Sequence, residues 1–289
     1  MKLLTFLSWI PDSIMLRLQY WLQTGRRLNL KNPKRFTEKL QLYKMKYRNP
    51  DMLRCTDKYE VRKYIEEKGF GQYLIPLIGV YNSVEEIDYS KLPNTFVAKT
   101  TDGGGGNQVL ICKDKHTLSE EVFKKRLREW MSARKVKKQA GREWAYENNF
   151  PRRIIIEELI GSENRDLIDY KFFCFHGQVK YIYGLSDRHM GHSIKLGVYN
   201  EEFQKLPVSR DDERIQESPL PKPINFDLMK SLANNLSKDF PHVRVDLYNI
   251  DGEIYFGELT FYDGSGYMTF TPDSFDEQMG LCFDISSFA

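Results

Sequence analysis

Two carboxylates and a guanidinium near the C-terminal end of the chain have the spacing of a phosphate or metal site. In the stretch Val243 to Thr260, apolar Val243, Val245 and Leu247 alternate with Arg244, Asp246 and Tyr248, which is the period of a strand. Asn249-Ile250-Asp251-Gly252 signals a type I turn whose glycine can take positive φ as a bulge residue, which predicts a three-residue hairpin loop. Asn249 then pairs with Glu253, Arg244 faces Glu258 and Asp246 faces Phe256. On that register Arg244, Asp246, Glu258 and Thr260 share one face, whereas a two-residue turn would send Glu258 to the other. Carboxylates converging with a guanidinium suit Mg²⁺ and phosphate oxygens. The competing reading is a surface hairpin with hydrated charges.

Other stretches carry compatible chemistry. The strand Thr95–Thr100 holds Lys99 and leads into Asp102, Gly103, Gly104, Gly105, Gly106 and Asn107, followed by the strand Gln108–Cys112. Strand, glycine loop, strand is neither a Walker A nor a Rossmann fingerprint, because both of those enter a helix. The bare N–H groups of such a loop can lie over phosphates, and a floppy hairpin tip is the alternative. Arg152–Gly161 is a β-branched buried strand ending in acids. Asp169 and Lys171 share a face of a further strand, which turns at His176-Gly177-Gln178, and Arg188 lies just beyond.

Composition narrows the function classes. With 289 residues, 41% hydrophobic and 29% charged, the chain is globular and holds one large domain or a few subdomains. A net charge of +3 argues against bulk nucleic-acid binding, and no nucleic-acid motif is present. Cys55, Cys112, Cys174 and Cys282 are scattered, which fits reduced thiols and excludes a structural zinc pattern. The histidines lack metal-ligand spacing. Lys2 and the apolar residues up to Ile10 resemble a signal peptide faintly, but they lack a cleavage site and run into Pro11 and a charged helix.

The elements that must position these residues follow from periodicity. A helix is predicted from Pro11 to Thr24, capped by Asp12 or Ser13 and ended by Gly25. Its stripe Ile14, Leu18, Trp21 and Leu22 reads as core packing, with a membrane surface as the alternative because Arg17, Arg26 and Arg27 lie close by. A second helix starts near Thr37 as N-cap, and a third runs from Asp57 to Gly69. Leu74–Tyr81 is strand-like, Leu118 to about Gln139 is a basic helix, 200–225 is a proline-rich loop, and Phe226–Asp239 is a helix.

Taken in order, these pieces resemble the ATP-grasp superfamily, and more closely its TupA-type branch of surface-polysaccharide biosynthesis. The resemblance is carried by Asn32-Pro33, Phe36 to Leu40, Asp57-Lys58-Tyr59 with Arg62, Leu92-Pro93, Lys99, Asp169 to Phe173, Arg244 to Tyr248 and Gly257 to Phe261. It implies an α+β, ATP-grasp fold, with ATP held between two α+β lobes, Mg²⁺ on C-terminal carboxylates, and an extra N-terminal helical segment. The implied divisions are a helical segment 1–56, the N-terminal part of the core 57–94, a small lobe 95–160 and a C-terminal lobe 161–289. By the same resemblance Lys58 and Lys99 are nucleotide-binding lysines, and Gly103, Gly104, Gly105 and Gly106 are the phosphate loop. Glu157, Glu158, Leu159 and Ile160 meet adenine, mostly through backbone groups. Asp169, Lys171, Arg188 and Arg244 surround the phosphates and an acyl intermediate, and Asp246 and Glu258 hold the metal. Many superfamily members end this motif in Glu-x-Asn, but here the third residue is Thr260, which leaves a second metal open. The stretch Tyr262 to Gly266 is a candidate for a further oxygen ligand.

The implied reaction joins a carboxylate, expected on a uronic acid of a bacterial surface polysaccharide, to an amine through an acyl phosphate, releasing ADP. The alternatives are an ATP-grasp kinase acting on a sugar or polyol hydroxyl, a glycosyltransferase, and a binding module without catalysis. The expected address is the cytoplasm, with the inner face of the membrane as an alternative through a lipid-linked acceptor. No nucleic-acid partner is expected. Residues 11–50, the basic helix or both are expected on the acceptor side, with a solvated helix whose charges only aid solubility as the alternative, and the glycine loop is expected to be mobile without nucleotide.

Overall fold

Side-chain alternation sorts the strands into two main sheets, each with its own core. The computed structural model describes residues 9–104, 108–132, 141–147, 150–161, 167–187 and 194–288. Its α-helices are α1 (Asp12–Thr24), α2 (Phe36–Lys46), α3 (Pro50–Cys55), α4 (Glu60–Glu67), α5 (Glu120–Ser132), α6 (Phe226–Ser237) and α7 (Ser274–Cys282). The strands are β1 (Leu77–Tyr81), β2 (Phe96–Thr100), β3 (Val109–Cys112), β4 (Ile154–Glu157), β5 (Asp169–Phe175), β6 (Gln178–Ser186), β7 (Lys195–Asn200), β8 (Ser209–Arg210), β9 (Arg214–Ile215), β10 (His242–Ile250), β11 (Glu253–Thr260) and β12 (Phe270–Thr271).

The smaller sheet is antiparallel, in the order β1-β4-β2-β3. Phe96, Ala98, Ile154 and Ile156 face a core that α5 closes with Phe123 and Leu127. Strand alternation therefore turns Lys99 and Glu157 to the opposite face. The larger sheet runs β11-β10-β5-β6-β7-β9. Val243, Val245, Leu247, Phe172 and Cys174 belong to its core, with Met229, Leu232, Ala233 and Leu236 of α6. Burying each such large side chain is worth about 2 kcal/mol. The opposite face of β5 and β10 is thereby left to Lys171, Arg244 and Asp246. A parallel bridge between Leu74 and Phe256 links the edge strand β11 to the segment that enters β1.

α2 ties the N-terminal helices to the C-terminal segment. Asp276 accepts from Thr37 N at 3.0 Å and from Thr37 Oγ1 at 2.6 Å, while Lys39 Nζ donates to the carbonyls of Gly280 (2.9 Å) and Phe283 (2.8 Å). Tyr43 reaches the His242 carbonyl on β10 at 3.0 Å.

Several expectations need correction. Thr37 is no N-cap: α2 begins at Phe36, and the preceding amides of Lys34 and Arg35 bond instead to the Glu38 carboxylate. α1 follows Pro11 and has no side-chain cap, though Gly25 does end it at φ 70°. The stripe Ile14, Leu18, Trp21 and Leu22 is exposed, and Met15, Leu16, Gln19 and Tyr20 are the buried face. α1 is apolar on both sides, so periodicity alone chose the wrong one. The basic helix is described to Ser132; Arg134, Lys135, Lys137 and Lys138 lie outside the described residues.

Candidate functional site

The hairpin of β10 and β11 builds the centre of the site in a way its turn does not predict. Ile250 pairs with Glu253, so the loop has two residues, Asp251 at φ 52° and Gly252 at φ 98°, in place of the expected three. Uninterrupted, that turn would have sent Glu258 to the far face. The register shifts between Asp246 and Leu247: Leu247 pairs with Phe256, and Asp246 pairs with Glu258. Gly257 is the extra residue of this bulge. A Cβ there would stand 3.1 Å from the Asp246 carbonyl oxygen and 3.2 Å from the Tyr248 ring. Arg244, opposite Thr260, therefore shares a face with Asp246 and Glu258 after all.

On the other side of β10, Asp246 pairs with Lys171 of β5, which puts Lys171, Asp246 and Glu258 in one row across three strands. Arg244 grips Asp246 with two hydrogen bonds of 2.7 Å each. It also reaches Glu258 Oε1 at 3.1 Å, Thr260 Oγ1 at 3.0 Å, and Asp263. Lys171 donates to Asp246 and to Asp169 Oδ2, the latter at 2.8 Å. Burial alone would push the Asp246 carboxyl up, but Arg244 and Lys171 outweigh it and hold Asp246 below the usual carboxylate range. Burial would likewise lower Lys171 and Arg244, yet their acidic neighbours keep both above their ordinary values. Glu258 differs in access: its side chain is 51% exposed, against 2% for Asp246.

A second set of cations comes from β2, which carries Lys99, and from the start of α4, which carries Arg62 and follows Lys58. Lys99 pairs with Glu157 at 2.6 Å, and Arg62 holds the other Glu157 oxygen at 3.1 Å. Lys58 donates to the carbonyl of Gly103, at the start of the glycine loop. Burial lowers the Lys58 ammonium; Glu258 opposes that shift and Lys99 adds to it, so Lys58 lies within electrostatic reach of both sheets. Asp102 is clamped by Arg152 at 2.8 and 3.0 Å.

The structure thus brings together Lys58, Lys99, Asp169, Lys171, Arg244, Asp246 and Glu258, with Gly103 against Lys58. Glu157 is tied to Lys99 by its side chain, Glu158 is exposed, Leu159 and Ile160 are half-buried, and Glu158 N donates to the Pro76 carbonyl at 3.0 Å. Gly104 is open on its Cβ side. Gly105, Gly106 and Arg188 lie outside the described residues, as does part of the loop expected to be mobile. Asp263, offered as a further oxygen ligand, is engaged by Arg244 and by Arg210 at 3.5 Å. Sequence reasoning missed Arg62 and Arg210 as carboxylate partners, and Tyr146. The Tyr146 phenol is pushed well above its ordinary pKa by burial and then by Glu258. Arg62 lay within a quoted motif; Arg210, in a polar loop far from Asp263, gave no signal.

The donor set can be tested against Mg²⁺, which takes one or two carboxylates and fills its shell with phosphate oxygens and water. Glu258 fits: it is half-exposed, and among the described residues only its Oε1 is engaged, by Arg244 and by Thr260 at 3.0 Å. Asp246 fits as its neighbour only by exchanging one of its cation contacts. No cluster of three or more acidic, histidine or cysteine ligands occurs among the described residues.

A family model described as TupA-like ATPgrasp matches residues 38–284. Among solved structures the chain is similar to D-alanine–D-alanine ligase from Bacillus anthracis, at 18% identity over 72% of this chain and 57% of that one, with a TM-score of 0.42. It is similar to the ATP-grasp ligase PsnB complexed with a minimal precursor, at 14% identity over 74% and 55%, TM-score 0.42. L-amino acid ligase from Bacillus licheniformis matches at 16% identity over 76% and 44%, TM-score 0.43. The chain spans about half the length of these solved structures. No curated protein matches.

Proposed function

The chain belongs to the TupA-like ATP-grasp family, and from that premise we propose that it is an ATP- and Mg²⁺-dependent ligase joining a carboxylate to an amine. The observation that carries the proposal is the row Lys171, Asp246, Glu258 with Arg244 bonded to both acids.

In the proposed reaction a carboxylate oxygen attacks the γ-phosphorus of ATP and ADP leaves. The amine then attacks the acyl phosphate carbon and expels inorganic phosphate. Negative charge grows on phosphoryl oxygens, so positioning and neutralisation are what the protein must supply. Lys58 and Lys99 bind phosphate oxygens as point charges, and the backbone from Gly103 to Gly106 covers them. The segment Glu157 to Ile160 receives the base. Arg244 and Lys171 face the transferred group, held in place by Asp246 and Asp169, and Arg188 joins them. Glu258, with Asp246 beside it, would hold the metal, and Mg²⁺ bound there would neutralise charge on the phosphates. The acceptor carboxylate is proposed to belong to a uronic acid of a bacterial surface polysaccharide, and the amine to an amino acid or similar donor.

The test is ADP release with Mg²⁺ and a panel of carboxylates and amines, with products weighed by mass spectrometry. The proposal expects turnover that needs one compound of each kind and a product joined by an amide. Phosphate retained on a hydroxyl of the product would make the protein a kinase and overturn the ligase assignment.

A further inference from the structure

α1 is anchored by one face and bare on the other. Its Leu16 and Tyr20 pack with Leu28, Leu30, Met45 and Tyr267, and the Tyr20 hydroxyl lies 2.8 Å from Thr37 Oγ1. The helix is therefore fixed to the body of the protein. Its outer face presents Ile14, Leu18, Trp21 and Leu22 at 57, 40, 54 and 57% exposure, and Trp9 just before it is 77% exposed. The i, i+4, i+7, i+8 spacing makes the four helical residues one stripe. A contiguous apolar stripe of this kind marks an interaction surface.

The charge around the stripe selects its occupant. From Trp9 to Arg35 the chain has six cations, Arg17, Arg26, Arg27, Lys31, Lys34 and Arg35, and one carboxylate, Asp12. Asp12 pairs with Arg142, and Arg26 and Arg35 pair with Asp273. Arg17, Arg27 and Lys31 are exposed and have no carboxylate partner among the described residues. Two copies of α1 packed face to face would oppose cation to cation, since the carboxylate of α1 itself, Asp12, is paired with Arg142. An anionic, apolar-cored surface satisfies both features.

We propose that α1 docks the protein onto an anionic lipid bilayer. The helix lies in the interfacial plane, with Trp9, Ile14, Leu18, Trp21 and Leu22 entering the headgroup–acyl boundary and Arg17, Arg27 and Lys31 on lipid phosphates. No described helix is long and apolar enough to cross a membrane, and α1, at thirteen residues, is about 20 Å long, which suits the in-plane arrangement. The inference stands apart from the nucleotide chemistry, since none of these residues belongs to the proposed catalytic set.

The test is co-sedimentation of the full chain with phosphatidylcholine vesicles, with and without phosphatidylglycerol, at low and high salt. Wild type is expected to pellet with the anionic vesicles and to bind less as salt rises. Leu18→Ser with Trp21→Ser, and separately Arg17→Glu with Arg27→Glu, are expected to weaken binding by at least about tenfold with unchanged melting temperature and nucleotide affinity. Absence of wild-type binding to either vesicle, or equal binding by the variants, overturns the proposal. So does a dimer in sedimentation equilibrium that the Leu18→Ser, Trp21→Ser variant abolishes while vesicle binding is absent.

Discussion

Asp246 on β10 stands opposite Glu258 on β11, although the two-residue turn that joins their strands would by itself set Asp246 against Gly257. The two acids nevertheless occupy unlike environments. Asp246 is almost fully buried between two cations, and Glu258 is half in solvent. Replacing each tests different things.

Asp246→Asn is expected to leave the buried Arg244 and Lys171 charges without their shared partner, and removing one member of a buried ionic set costs about 3–5 kcal/mol. Glu258→Gln is expected to leave stability within about 0.5 kcal/mol of wild type, because its side chain is exposed and its ion pair is weak. Urea unfolding of the two variants checks the contrast. Equal stabilities would show that Asp246 is not the electrostatic hub described above.

Gly257 creates the alignment, so it should be sensitive to the smallest added side chain. Gly257→Ala places a Cβ 3.1 Å from the Asp246 carbonyl oxygen, against backbone that cannot swing away. The expected destabilisation is about 1–3 kcal/mol. Weaker Mg²⁺-dependent nucleotide binding should accompany it as the register relaxes. Wild-type stability and binding together would mean that the bulge tolerates any residue.

The candidate face was legible in the sequence, but by a wrong route. Alternation along Val243 to Leu247 sorted Arg244 and Asp246 correctly, since alternation depends only on burial of one strand face. The missing information was where the extra residue sits: a glycine in a loop and a glycine within a strand can each absorb one residue. Gly257 was the available sign, because an isolated strand glycine often marks a bulge. The stripe on α1 was misassigned for a related reason. A helix apolar on both sides has no single preferred face, and the packing of Leu16 and Tyr20 against Leu28, with the Tyr20 hydroxyl on Thr37, decides which one is buried. β7, α3 and α7 were not read, being short or lying within polar and aromatic stretches without clear period. Contacts such as Arg210 with Asp263 are tertiary and carry no local pattern.

His242 should make the fold acid-sensitive. It is fully buried among Phe36, Phe173, Phe175 and Phe283, with Nδ1 donating to the Cys174 carbonyl at 2.9 Å. Burial pushes its pKa down to about 3, whereas the unfolded chain protonates near 6.5. The unfolded state therefore binds the extra proton between those values. The stability from this residue is complete above pH 6.5 and is lost as pH falls toward 3, on the order of 5 kcal/mol over the whole span. Melting curves from pH 7 to 4 should fall more gently for His242→Phe than for wild type. Parallel curves would show that the histidine does not stay neutral in the folded protein.

If the proposed function holds, the protein binds a nucleotide whose phosphates share Mg²⁺ with Glu258. This is tested most directly by calorimetric titration of a non-hydrolysable ATP analogue, with Mg²⁺ and with the metal chelated. Wild type is expected to bind at least about tenfold more tightly with Mg²⁺, Glu258→Gln to lose that difference, and Lys99→Ala to bind weakly in both conditions. A wild-type protein that binds no nucleotide, or binds it equally well without Mg²⁺ and with Glu258 replaced, rules out a Mg²⁺-nucleotide site at Glu258.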